Sequence, residues 1–195
     1  KKVGIKVPTK NEILKKYGSM IIQASDTKEP GLWLPSTFFN LNYTLGGGFP
    51  WGKVTEIAGE ESSGKSLIAL NAAYACQQLG GSVIWVDAEQ SWMNSWAELN
   101  GIDPNKVTVI RDTRIEYISD AVADVAIYLR SKLVNNEPIL LVVDSVAAID
   151  CSDNIDSKMV DGKAEMGGRA KALYRYFRIR SELFYKLGVT QIYIN

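Results

Sequence analysis

Apolar and polar positions alternate along this chain in blocks that predict strands followed by helices. Strands are predicted over residues 53–58, 83–87, 107–110, 139–143 and 189–194, and helices over 65–79, 91–100, 115–134 and 166–187. Residues 139–143 are apolar throughout, which is typical of a strand covered on both faces. This alternation predicts an α/β fold with a mostly parallel central sheet flanked by helices.

Residues 1–30 do not follow this pattern, and they are predicted to form a basic N-terminal arm ahead of a core over residues 31–195. A short helix is predicted at residues 11–17. The basic character comes from Lys1, Lys2, Lys6, Lys10, Lys15 and Lys16. Two interpretations stay open: a solvated extension, or an oligomerisation segment that docks on a neighbouring subunit or steers DNA.

Composition narrows the classes of function. The 195 residues are enough for one sizeable core, and 22 basic side chains balance 22 acidic ones, so any contact with nucleic acid must come from a local patch. The absence of His excludes Ser-His-Asp catalysis and His-based metal sites. Cys76 and Cys151 have no zinc spacing and suit a reducing compartment. No secretory signal and no apolar run long enough to span a bilayer is found.

The segment between the first predicted strand of the core and the following helix has the spacing of a phosphate-binding loop, G-x-x-x-x-G-K-[ST]. Its residues are Gly59, Glu60, Glu61, Ser62, Ser63, Gly64, Lys65 and Ser66. A Gly-rich turn could match this pattern by chance, but the flanking strand and helix are the context in which the motif binds nucleotides.

Each residue type in this loop has a chemical reason. Gly59 and Gly64 allow backbone conformations in which successive N–H groups turn toward phosphate oxygens, and the positive end of the next helix adds to the attraction. Lys65 is expected to neutralise the β- and γ-phosphates, and the Ser66 hydroxyl to ligate Mg²⁺.

Two carboxylates at predicted strand ends complete the candidate site. Asp144 follows the apolar strand and is predicted to hold Mg²⁺ through water, the alternative being a simple turn residue. Glu89 lies just past the strand 83–87 and is the candidate for orienting the attacking water, the alternative being a solvated loop acid. Asp87 points the other way by strand alternation and is expected to be structural.

Trp92 and Trp96 are four residues apart on the predicted helix 91–100 and are therefore expected to share one face. One of them could stack on an adenine ring. Core packing of an amphipathic helix is an equally good interpretation of the pair.

These motifs resemble those of the bacterial RecA recombinases and their phage relatives, from about residue 30 to the C-terminus. Residues 45–57 (LGGGFPWGKVTEI) lead into a phosphate loop in which Glu-Ser-Ser precedes Gly-Lys. Residues 87–89 (DAE) are similar to the family's catalytic-glutamate strand, and residues 142–148 (VVDSVAA) to its magnesium strand. Residues 192–195 (IYIN) resemble the strand before its nucleotide-sensing Gln.

The resemblance implies a RecA-type P-loop NTPase core and assigns roles to particular residues. Glu89 would activate water, with Lys65 as its catalytic partner on the phosphates. Trp96 falls at the adenine-stacking position, where the family usually has Tyr. Met93 stands where the family has an acidic residue near the adenine.

The resemblance also places the family's first DNA-binding loop between residues 151 and 171. The implied DNA contacts are Lys163, Met166, Gly167, Arg169 and Lys171. Cations can meet phosphates, glycine adds flexibility, and a methionine can wedge between bases. Asp153, Asp156, Asp161 and Glu165 would repel DNA, and the residues alone would equally suit a plain surface loop.

The function implied is that of an ATP-dependent DNA recombinase for DNA recombination and repair. It would use ATP and Mg²⁺, form a homo-oligomeric filament on single-stranded DNA, pair it with double-stranded DNA, and hydrolyse ATP in a DNA-stimulated manner. It is expected to work in the cytoplasm in association with the nucleoid. If it is phage-encoded, the expected location is the cytoplasm of the host cell. A ring-forming ATPase or helicase and a non-hydrolysing recombination mediator are the alternatives, and a small-molecule kinase has no supporting signal.

The chain ends at Asn195, before the family's sensor Gln, second DNA loop and C-terminal domain. The expectation is therefore a C-terminally truncated ATPase core that binds nucleotide without efficient strand exchange.

Overall fold

Five parallel strands form the central sheet of the computed structural model, which describes residues 8–21, 32–155 and 167–195. The strands of the chain are β1 (Trp33–Leu34), β2 (Phe49–Pro50), β3 (Val54–Ile57), β4 (Ser82–Asp87), β5 (Val107–Ile110), β6 (Ile139–Asp144) and β7 (Val189–Ile194). The helices are α1 (Lys10–Tyr17), α2 (Phe39–Thr44), α3 (Lys65–Gln78), α4 (Asn94–Leu99), α5 (Ile115–Lys132) and α6 (Gly168–Leu187). The predicted α/β class with a parallel sheet is confirmed.

The order of the sheet is β3-β7-β6-β4-β5, and every neighbouring pair is parallel. The consecutive strands β4 and β5 are neighbours, as are β6 and β7, whereas β3 and β4 are separated in the sheet, as are β5 and β6. Asp87 and Asp144, the last residues of β4 and β6, are directly paired across the sheet. The register thus places the ends of these two strands beside each other, and ligands of parallel sheets bind at this edge.

The two faces of the sheet carry separate hydrophobic layers, because successive side chains of a strand point to opposite sides. On one face α3 packs its alanine-rich surface, with Leu70 and Cys76, against Trp85 and Leu140. The other face is covered by α5 and α6. Its buried side chains include Ile84, Val86, Ile118, Val122, Leu141, Val143, Tyr176 and Phe184. Both cysteines are buried and unpaired.

Helix α6 is held against α5 and β7 through both apolar and polar contacts. On its apolar side, Phe184 is fully buried, and Leu173, Phe177 and Leu187 pack against the core. On the polar side, Arg180 donates to the Ser119 hydroxyl at 2.8 Å and to the carboxylate of Asp120, both on α5. Thus one of the helix's arginines fastens two helices together rather than facing solvent alone.

A buried chain of polar side chains connects α6 with β7. The hydroxyls of Tyr176 and Tyr193 lie 2.9 Å apart, and the Tyr193 hydroxyl donates to Gln191 at 3.0 Å. Burial raises the pKa of Tyr176 to about 12 and that of Tyr193 well above its usual value. Both phenols are therefore neutral hydrogen-bonding groups at physiological pH.

Two features near residue 40 were not predicted from the sequence. Strands β1 and β2 form a small antiparallel pair, and α2 lies between them. Gly48 makes this pairing possible, since a Cβ at that position would lie 2.4 Å from the Leu34 carbonyl oxygen. The side chain of Asn71 on α3 accepts from the Thr37 N–H at 2.6 Å. This bond fixes the segment before α2 against α3.

The chain divides into two compact units, Lys1–Gly31 and Leu32–Asn195. In the first unit, the predicted helix is confirmed as α1. A capping box begins it: Thr9 accepts from the Glu12 N–H, and the Glu12 carboxylate accepts from the Thr9 N–H at 2.8 Å. None of the residues of α1 is buried. In the described part of the chain, no helix combines the length and apolar character that a bilayer crossing requires.

Thr190→Val is expected to raise the free energy of unfolding by about 1 kcal/mol, because a buried polar group without a partner costs about 1–3 kcal/mol. Thr190 in β7 is fully buried, and its hydroxyl has no hydrogen-bond partner among the described residues. Valine keeps the shape and removes the hydroxyl. Urea denaturation measures the change. Thr190→Ser, which keeps the hydroxyl and loses the methyl group, should be destabilising, and equal stability of all three proteins would contradict the prediction.

Candidate nucleotide-binding site

The loop between β3 and α3 carries the phosphate-binding motif at the edge of the sheet. Gly64 is left-handed, with φ at 92°, and precedes α3 without a side chain capping the helix. The first amides of α3 are therefore not occupied by a cap, and this arrangement suits an anion. Glycine is required for this turn because L side chains rarely adopt such a φ.

Lys65 is held inside the loop rather than extended into solvent. Its ammonium group donates to the carbonyl oxygens of Gly59, at 2.8 Å, and Glu60, at 2.7 Å. The positive charge is thus positioned over the loop that the motif predicts to contact phosphate. These two contacts leave the third N–H of the ammonium group for a ligand.

Ser66 and Asp144, the two predicted metal ligands, are brought together. Ser66 and Asp144 line the same cavity, and Asp144 is only 6% exposed. Burial raises the pKa of Asp144, the nearby Glu89 and Asp87 act in the same direction, and the Ser66 side chain opposes them. A hydroxyl and a carboxylate are oxygen ligands of the kind Mg²⁺ prefers.

The Ser66 hydroxyl and the Asp144 carboxylate suit a metal ion whose remaining ligands come from a bound phosphate group. Across residues 8–21, 32–155 and 167–195, no group of three or more His, Cys, Asp or Glu side chains could hold a metal ion. Magnesium is commonly held by one or two carboxylates together with substrate phosphates, which is what Ser66 and Asp144 beside a phosphate loop would allow.

Glu89 lies next to this pair because of a contact that the sequence did not predict. It is an exposed residue two positions beyond β4, and its carboxylate accepts a hydrogen bond from the Ser145 hydroxyl. Ser145 directly follows Asp144 and is buried. The Ala88 N–H also donates to the Asp144 carbonyl at 3.0 Å, so both the backbone and a side chain fix Glu89 relative to β6.

Asp87 holds the loop that follows β4, which is a structural role. The carboxylate is fully buried and accepts from the backbone N–H groups of Ser91, at 2.8 Å, and Trp92, at 3.2 Å. Arg111 donates to it at 3.1 Å and also donates to the Trp92 carbonyl at 3.3 Å. Arg111 was not predicted, since only the tertiary structure brings β5 beside this loop.

Asp87→Ala is expected to lower the free energy of unfolding by about 2–3 kcal/mol, since the Ser91 and Trp92 N–H groups and Arg111 lose their buried acceptor. Guanidinium denaturation monitored by tryptophan fluorescence measures the loss. Glu182→Ala is the matched control, because its ion pair with Lys186 is largely exposed and should contribute little to stability. Equal effects of the two variants would contradict a structural role for Asp87.

The expectation that Trp92 and Trp96 share a helix face was wrong. Helix α4 begins only at Asn94, because Asp87 binds the N–H groups of Ser91 and Trp92 and keeps them in the preceding loop. Trp92 instead packs against Trp85, with ring centroids 5.1 Å apart. Trp96 is on α4 and is 47% exposed.

A cavity of about 250 Å³ nevertheless unites these residues with the metal pair. Its lining includes Ser66 and Asp144 at one end and Trp92, Met93 and Trp96 at the other. A polar end beside the phosphate loop and an aromatic end beside α4 match the two ends of a nucleotide. Trp96 therefore lies where a base could stack on it.

The predicted DNA contacts that the structure describes lie at the start of α6. Lys163 and Met166 lie outside the described residues. Gly167 immediately precedes α6, and Lys171 is exposed on the first part of this helix. Arg169 donates to the Val146 carbonyl at 2.8 Å, so it connects the start of α6 with the segment just after Asp144 and Ser145.

Comparison with known proteins gives a consistent answer. Residues 7–195 match the RecA N-terminal domain. The chain is 35% identical over 185 residues to the protein RecA of Malacoplasma penetrans, covering 94% of this chain and 53% of that protein. It is 35% identical over 179 residues to the protein RecA of Corynebacterium jeikeium, covering 91% and 45%. The corresponding values for the protein RecA of Nitratidesulfovibrio vulgaris are 32% over 186 residues, with 94% and 50% covered. The chain thus spans about half the length of the curated relatives it matches.

Proposed function

Because this chain belongs to the RecA family, we propose that it is the nucleotide-binding core of an ATP-dependent DNA recombinase. The observation that carries the proposal is the single cavity shared by Ser66, Asp144 and Trp96, directly beside the loop that holds Lys65. In the intact protein, this core forms a filament on single-stranded DNA and promotes pairing with a homologous duplex.

The residues of the site divide the work of binding ATP. Residues 59–66 bind the triphosphate through backbone N–H groups, and Lys65 adds positive charge. Ser66 and Asp144 hold Mg²⁺. When bound, Mg²⁺ neutralises the charge on the β- and γ-phosphate oxygens. Trp96 stacks on the base at the other end of the cavity.

Glu89 orients the attacking water for hydrolysis, and Ser145 fixes its carboxylate. The hydrogen bond between the two side chains supports this assignment, because a general base acts only when its geometry is defined. Asp144, which contacts the metal, and Ser145, which orients Glu89, are consecutive residues.

DNA binding is assigned to the segment leading into α6, through Lys163, Met166, Gly167, Arg169 and Lys171. Cations contact phosphates and methionine contacts bases, so binding does not depend on sequence. Arg169 is bonded to Val146, two residues beyond Asp144, and this contact offers a direct route between the two sites. The protein works in the cytoplasm, on the nucleoid, or in the host-cell cytoplasm if it is phage-encoded.

Measurement of ATP hydrolysis with and without single-stranded DNA, paired with negative-stain electron microscopy, tests the proposal. Both should be run on this chain and on a longer version extended to the length of its relatives. We expect DNA-stimulated hydrolysis and helical filaments from the longer protein, and nucleotide binding without efficient strand exchange from the 195-residue chain. Hydrolysis indifferent to DNA, together with closed rings, would indicate a ring ATPase. Negligible turnover would indicate a mediator that uses ATP structurally.

A further inference from the structure

The base end of the cavity is built from apolar side chains. Leu70 and Ala97 are buried in its wall, and Trp92, Met93 and Trp96 complete it. Met93 and Trp96 are 61% and 47% exposed, so they are free to move onto a bound ring. Such a surface recognises a flat aromatic group by contact area and stacking.

The polar atoms of the segment over residues 91–93 are largely used within the protein. The Ser91 and Trp92 N–H groups donate to Asp87, and the Trp92 carbonyl accepts from Arg111. The Trp92 indole N–H donates to Asn94 at 2.8 Å, and the Met93 carbonyl accepts from the Ala97 N–H at 3.1 Å. These contacts occupy the Ser91 and Trp92 N–H groups, the Trp92 indole N–H and the Trp92 and Met93 carbonyls.

The polar side chains that remain do not distinguish adenine from guanine. Ser66 and Asp144 face each other at the metal end. The Ser91 residue is exposed, and its hydroxyl can donate or accept, so it can meet the amino group of adenine or the carbonyl of guanine equally. Strong discrimination between bases requires a fixed donor or acceptor that is left unpaired by the wrong base.

We infer that this site selects purine nucleoside triphosphates as a class and has little preference for ATP over GTP. The inference rests on the proposed nucleotide-binding function and specifies which nucleoside triphosphates that site binds. Stacking is tolerant of base identity because every base has a π-face, and the larger purine ring covers more of the aromatic wall than a pyrimidine does.

Competition binding tests this inference on the full chain in the presence of Mg²⁺. A ribose-labelled fluorescent ADP is displaced with unlabelled ATP, GTP or CTP. The affinities for ATP and GTP should agree within about threefold, because an apolar pocket cannot strongly reject an analogue of similar shape. CTP should bind about tenfold more weakly, in line with reduced stacking.

Two variants sharpen the test. Met93→Asp should move the ATP-to-GTP preference at least about tenfold toward ATP, since its carboxylate accepts from the adenine amino group and repels the guanine carbonyl. Leu99→Asp is the matched control, because Leu99 is 77% exposed at the end of α4, the helix that follows Met93, and does not line the cavity. It adds the same charge and should leave the preference unchanged.

Each outcome bears on one of the two proposals. A preference of the unmodified chain for ATP over GTP of more than about tenfold overturns the inference and leaves the nucleotide site intact. If Leu99→Asp changes the preference as much as Met93→Asp does, long-range charge rather than the cavity is responsible, and the inference also fails. If no triphosphate displaces the probe, or displacement survives Lys65→Ala, the proposed function itself fails. Circular dichroism checks that each variant is folded, and the unmodified chain alone decides the main question.

Discussion

Lys65→Ala should reduce ATP affinity by at least about tenfold, since one charge-assisted hydrogen bond to phosphate is lost, at about 1.5–3 kcal/mol. The ammonium group is already positioned by the Gly59 and Glu60 carbonyls, so its charge is available to the triphosphate without rearrangement. Isothermal titration calorimetry with Mg²⁺ and ATP measures the loss.

A second lysine provides the control for this result. Lys53 lies just before β3, with its ammonium group 4.8 Å from the centre of the Tyr185 ring, and it takes no part in the phosphate loop. Lys53→Ala removes the same charge and should leave ATP affinity within about twofold, because exposed charges are well screened. If Lys65→Ala leaves ATP affinity and its dependence on metal untouched, the assignment of the site as an ATPase site is wrong.

Glu89→Gln should lower the rate of ATP hydrolysis by about 10²–10³-fold, within the range for loss of a general base. ATP affinity should change little, because Glu89 lies beside Ser145 rather than in the phosphate loop. Phosphate release in the presence of saturating single-stranded DNA measures the rate, and titration with a non-hydrolysable analogue measures affinity. This separation of rate from affinity distinguishes a catalytic role from a structural one.

Ser145→Ala tests how far the position of Glu89 matters. The variant keeps the carboxylate and removes the hydrogen bond that orients it, so a loss of about tenfold in rate is expected, smaller than that of Glu89→Gln. Glu98→Gln, an exposed change on α4, should have no effect. An unchanged rate in Glu89→Gln would contradict the catalytic assignment and favour a protein that uses ATP as a structural ligand.

The regular elements were predictable to within a few residues because their signals are local. The predicted strands at 107–110 and 189–194 have the bounds of β5 and β7, and the predicted helix 65–79 exceeds α3 by one residue. These elements follow from apolar periodicity and from Gly or Pro at their ends, which neighbouring residues alone decide. The two-residue strands β1 and β2 have no such period, and they were missed.

The start of α4 shows where local prediction fails. The sequence from residue 91 onward suits a helix, but Asp87 accepts from the Ser91 and Trp92 N–H groups in a loop, and α4 begins only at Asn94. Asp87 can do so because it is buried and because Arg111, from the next strand in the sheet, balances its charge. These contacts of Asp87 with the loop and with Arg111 form only in the tertiary structure, so the local sequence pattern did not predict them.

By itself, the sequence determined the α/β class, the phosphate loop and the chemical types of residue at each strand end, because these depend on neighbours along the chain. Only the tertiary structure decided the strand order, which inserts β6 between β4 and β7 and so brings Asp144 beside Asp87. The contact of Ser145 with Glu89 and the cavity between Ser66 and Trp96 follow from that order. Their partners are dozens of residues apart in sequence, and no local pattern encodes which strands will be neighbours.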